Sequence, residues 1–226
     1  MRLFHGSNTE IRQIDLSRCL PHKDFGAGFY TTTIYQHASE RAQAKMQEQG
    51  GKAVVSVFDF DENVFADDKL AVKRFENPSA EWVRFVMKNR NKETKENHLF
   101  DIVEGPVADD RMYAQFALFE HGIISMETVL ERITYREQTH QIVFCTPAAV
   151  ALLKPEPDYA EVLIQYIIGD MAKFLINDYN ISMTDALAKV YNSKTYRLIT
   201  DKKTGIYRNA SAHIYELLKK ELCNAK

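Results

Sequence analysis

"FGAGFYTTT", residues 25–33, sets two glycines either side of one alanine, then an aromatic pair, then three threonines. The chain has only nine glycines in 226 residues, so two of them in one loop need a reason. One reading is a tight turn that runs into a β-strand. The other is a loop along which a ligand approaches the backbone, with Tyr30 as a flat platform beneath it. The sequence on either side bears on the choice.

Upstream, "MRLFHGS" reads as a short strand ended by a glycine turn. Downstream, "GFYTTTI" is aromatic and β-branched, as a strand edge requires, and "YQHASERAQAKMQEQGG" follows as a helix closed by paired glycines. "KAVVSVFDFD" alternates and is rich in valine and phenylalanine, which predicts a strand. "NPSAEWVRFVMKNRNK" predicts a helix that buries Trp82, Phe85 and Val86 on one face. "FDIVEGPVADD" is a further strand, after which Asp109 or Asp110 caps a helix through "RMYAQFALFEHG". The helix "SMETVLERITYRE" and the strand "QIVFCT" complete an α+β pattern without regular βαβ alternation. "KPEPDY" breaks the pattern with two prolines, and everything after it reads as helical. The expected division is therefore residues 1–153, a linker at 154–158, and a small all-helical domain at 159–222.

Hydrophobic residues make up 45% of the chain and charged ones 27%, which suits a packed core rather than disorder. Lys plus Arg (29) nearly balances Asp plus Glu (31), so no global field draws the protein to nucleic acid. Three widely spaced cysteines, Cys19, Cys145 and Cys223, argue against a disulfide framework and a zinc site. No signal peptide or membrane-spanning run is evident. The expectation is a soluble, cytoplasmic protein without a metal.

Two stretches taken together resemble a known superfamily. "LFHGSN" (residues 3–8) is similar to the L-W-H-G-S strand of poly(ADP-ribose) polymerases and their diphtheria-toxin-like relatives. "FGAGFYTTTIYQHAS" resembles the F-G-x-G-I-Y segment that follows in the same enzymes. The resemblance covers residues 1 to about 150 and is closest to a bacterial family of unknown function placed in the ADP-ribosyltransferase superfamily. It implies a split two-sheet core that grips NAD in a cleft, beside a helical accessory domain, in a toxin–antitoxin or phage-defence setting with a partner protein. Carried over by residue, it implies that His5 bonds a ribose hydroxyl and that Gly6 offers its backbone to the nicotinamide carboxamide. By the same resemblance Ser7 supports that strand end or the carboxamide, Gly26 and Gly28 let the loop wrap the ligand, and Tyr30 stacks on nicotinamide.

The chemistry so implied breaks the bond to nicotinamide and leaves an oxocarbenium-like ribose for a nucleophile on a macromolecular target. The superfamily places a glutamate at the start of a late strand to stabilise that charge. The matching strand here is "HQIVFCT", and the aligned residue is Gln141. A glutamine accepts the same hydrogen bond but carries no charge. Either another carboxylate, Asp109 or Asp110, supplies the charge, or the protein binds NAD or ADP-ribose with little turnover. If a missing charge limits catalysis, Gln141→Glu raises turnover; a fall would mean that glutamine suits this target. A second stacking tyrosine is absent, with Arg41 near its place. His140 should face away from Gln141, because strand side chains alternate. In the tail, "RNASAH" sets Arg208, Asn209 and His213 at a spacing seen in helical ribonucleases, a third reading. The adjacent acids Asp109 and Asp110 lack further ligands for a metal.

Overall fold

The computed structural model describes residues 1–11, 13–67, 69–93, 98–134, 139–155 and 160–224. In chain order the strands are β1 (Arg2–Ser7), β2 (Phe29–Thr32), β3 (Val54–Asp59), β4 (Val72–Arg74), β5 (Ile102–Pro106), β6 (His140–Phe144) and β7 (Lys154–Pro155). The helices are α1 (Tyr35–Gln49), α2 (Ala80–Arg90), α3 (Asp110–Glu120), α4 (Met126–Ile133), α5 (Pro147–Val150), α6 (Ala160–Tyr179), α7 (Met183–Tyr191), α8 (Lys194–Thr200) and α9 (Ser211–Asn224). The protein is α+β, as its patterning predicts. No helix among the described residues is long and apolar enough to cross a membrane.

The helix boundaries follow from capping. Ser79 accepts the Trp82 N–H, Ser125 accepts the Thr128 N–H, and Asp109 accepts the N–H groups of Arg111 and Met112. Each satisfies donors that a first turn leaves orphaned. Gly50, at φ +75°, ends α1. The stretch "SMTDALAKVYNSKTYRLIT" is two helices, because Ser193 caps a new one by accepting the Tyr196 N–H.

The chain forms two compact units, each drawing on separated segments. Unit one comprises Met1, Gln13–Thr33 and Phe60–Leu153. Its strands run β4–β5–β6–β2, with β4 parallel to β5 and the other pairs antiparallel. Helices α2, α3 and α4 bury Trp82, Val83, Val86, Met112, Phe116 and Val129 in one cluster with Val103 of β5 and Val143 of β6.

Unit two comprises Arg2–Arg12, Ile34–Asp59 and Lys154–Lys226. Here β1 and β3 pair antiparallel, and β7 adds to the far edge of β3. Proline is tolerated at such an edge. Two of the proposed linker residues are thus in a strand, while 156–158 lie outside the described residues. The helical tail does not keep a core of its own. Leu163, Ile167, Met171 and Leu175 of α6 and Ile214 and Leu218 of α9 bury themselves with Phe4, Tyr35, Ala38 and Val55.

Candidate functional site

The expected site residues fall in both units. Gly26, Gly28, Tyr30, Asp109, Asp110 and Gln141 belong to unit one; His5, Gly6, Ser7 and Arg41 belong to unit two.

In unit two the glycine of "LFHGS" has a packing role. A Cβ on Gly6 would sit 1.9 Å from the Ala38 carbonyl oxygen, so only glycine lets β1 pass this close to the α1 backbone. His5 is half-buried opposite Ser56, and Ser7 is buried opposite Val54. Arg41, on α1, lies 3.9 Å from Glu48. In the tail, Arg208 is bonded to Glu10 and lies over the Tyr207 ring, so its charge is already engaged.

In unit one both glycines of the opening stretch also have backbone reasons. Gly26 adopts φ +72°. Gly28 crosses β6 so closely that a Cβ would be 2.6 Å from Val143 and 3.0 Å from the Phe144 carbonyl oxygen. Tyr30 then locks the loop: its hydroxyl donates to the Gly26 carbonyl at 2.8 Å and accepts the Phe25 N–H at 3.0 Å. Burial, above all, raises the pKa of this phenol and keeps it protonated. Lys23 places its ammonium 5.3 Å from the ring centroid.

The strand register brings Tyr30 and Gln141 onto one face. Thr32 stands opposite Gln141 and Tyr30 opposite Val143. Directly opposed residues share a face, and so do residues two apart on one strand. His140, paired with Pro106, falls on the other face, as alternation requires.

The carboxylate that meets Gln141 is Asp24, which the sequence reading passed over by one residue. Asp24 is 6% exposed, and a buried charge of this kind needs a full complement of partners. It has four. Oδ1 accepts from Arg90 Nε at 2.9 Å and from the Tyr113 hydroxyl. Oδ2 accepts from the Ala108 N–H and from Gln141 Nε2, each at 3.2 Å. The Asn89 amide adds a 3.4 Å bond to the Asp24 main-chain carbonyl. One side chain thereby ties the glycine loop to the end of α2, the approach to α3, and β6.

This knot fixes the orientation of Gln141. An ionised carboxylate only accepts, so the glutamine must turn its NH₂ towards Asp24. Its Oε1 is left as an acceptor to which no described residue donates. Asp109 and Asp110 occupy a different place. Asp109 is spent as the α3 cap, with its carboxyl held below the usual range mainly by the Met112 N–H bond, and Asp110 is exposed in the first turn. The sequence carried a signal for Asp24, an acid standing immediately before an apolar and glycine-rich loop, but none for its partners 66, 89 and 117 positions away.

Among the described residues no group of His, Cys, Asp and Glu side chains is arranged to hold a metal ion. Residues 1–154 match the family described as a protein of unknown function (DUF3990), and the chain belongs to that family. No curated protein and no solved structure matches the chain.

Proposed function

We propose, from a family whose description assigns no activity, that this chain is an NAD-dependent mono-ADP-ribosyltransferase. The observation that carries the reading is the Asp24–Gln141 bond, which leaves the Gln141 carbonyl oxygen as a fixed acceptor on the same strand face as Tyr30. A preset acceptor is what a ribose hydroxyl needs when the sugar gains positive charge in the transition state. In the reaction the ribose C1′–N bond breaks, and nicotinamide leaves with the bonding electron pair. The target nucleophile then bonds C1′ and gives its proton to solvent. Gln141 orients the ribose, and Tyr30 supplies an aromatic face beside it. The family resemblance also supports a role as a bacterial toxin or defence effector, held in check by a partner protein.

A second reading, NAD or ADP-ribose binding without turnover, is favoured by one feature. The Asp24 charge is already matched by Arg90, so little of it is left for an oxocarbenium ion. Nicotinamide release from NAD by the purified protein separates the two. The transferase reading expects release that falls roughly 100-fold or more in Gln141→Ala. NAD binding by calorimetry with no release, alone or in cell lysate, would establish the second.

A further inference from the structure

We propose that Arg90 is a diphosphate-binding subsite, preset by Asp24 and Tyr113. Arg90 is the last residue of α2. Its Nε is bound to Asp24 at 2.9 Å, and its guanidinium carbon lies 3.8 Å from the Tyr113 ring centroid. An edge bond and a face contact together fix both the position and the plane of the group. Stacking on an aromatic face suits the flat, delocalised cation.

What remains of the guanidinium is its outer edge. The side chain is 43% exposed, and no described residue accepts from Nη1 or Nη2. Two parallel donors in a rigid fork match two oxygens of one phosphate, and a group held in advance loses little freedom on binding. Asp24 is buried, whereas the Arg90 side chain that it holds is partly open to solvent. The carboxylate also joins Arg90 to the buried Gln141 side chain, since its other oxygen accepts from Gln141. An acceptor for a sugar hydroxyl and a fork for phosphate, joined through one aspartate, fit an ADP-ribose unit. The choice of diphosphate over other anions rests on the transferase reading.

The test is calorimetry with three probes, ADP-ribose, inorganic pyrophosphate and nicotinamide riboside, on the full chain and on Arg90→Lys, which keeps the charge but loses the fork. Binding of ADP-ribose and pyrophosphate should weaken about tenfold or more, and that of nicotinamide riboside should not change. Equal ADP-ribose affinity in a folded Arg90→Lys overturns the subsite, as does wild-type protein that binds neither phosphate probe. Should Arg90→Lys fail to fold, Asp24→Asn with Arg90→Gln retains a neutral hydrogen-bonded pair and must show the same selective loss. The two readings fail separately. Arg90-dependent binding without nicotinamide release sinks the transferase and keeps the subsite, whereas release with an Arg90-independent KM does the reverse.

Discussion

Among the described residues each unit buries one aspartate, and the two are treated in opposite ways. Asp24 in unit one is 6% exposed and meets four donors. Asp170 in unit two is 7% exposed, with Oδ2 unpartnered among the described residues and Lys173 4.0 Å from Oδ1. Burial, chiefly, raises the Asp170 pKa; a Ser211 bond and Lys173 offset only part of that, and Glu40 adds to it. A saturated buried carboxylate organises its donors. A half-satisfied one is pushed towards its neutral form and organises little. Depth of burial is the same; the count of donors makes the difference.

The sharpest way to break the contrast is Asp24→Ala. It strands Arg90, Tyr113, the Ala108 N–H and Gln141 at once, and chemical denaturation should show a loss of about 3–5 kcal/mol. Gln141→Glu comes next. From the sequence alone this substitution should raise turnover by restoring a charge. Beside Asp24 it instead sets two carboxylates against each other, at a cost of about 2–4 kcal/mol at the effective dielectric of a partly buried site. Combining it with Asp24→Asn restores one acid and one amide, so the double variant should melt close to wild type. A single Gln141→Glu that melts at the wild-type temperature would deny that the two side chains meet.

Smaller effects test the ordinary carboxylates. Asp109→Ala should cost about 1 kcal/mol as a lost helix cap. The Asp109 pKa is depressed, so its contribution is present above the unfolded value and fades as pH falls through the lower folded value. The smallest shift is expected from Asp170→Asn, within about 1 kcal/mol at neutral pH. Its pH dependence has the opposite sign. A raised folded pKa favours the native state below 3.8, and that advantage is lost as pH rises through the folded value. Stability curves from pH 3 to 7 should therefore be flatter in Asp170→Asn than in wild type, and equal slopes would remove the comparison.

Local order was legible in the chain. Ser79 and Ser125 announce helix starts, and the alternation of "KAVVSVFDFD" announces β3. These signals act within one turn or one strand. The Asp24 knot was not legible, because its contacts join residues 66 to 117 positions apart and leave no periodic trace. The same limit hid the tail's place. Residues after 154 read as a separate helical module, since their burial partners, Phe4 and Tyr35 among them, stand more than a hundred residues earlier. The glycines carried an ambiguity of a different kind. A residue with no side chain marks close approach without saying to what, and here α1 and β6 account for Gly6 and Gly28.

The mixed core of unit two has a consequence for cutting the chain. The family match ends at residue 154, yet Phe4, Ala38, Ala42 and Val55 are covered by Leu163, Ile167, Met171 and Ile214, which lie beyond it. A fragment stopped there would keep everything that homology recognises and expose half of an interior. Descent and cooperativity have drawn their borders at different points, and the segment that the family match covers shares its interior with residues beyond it.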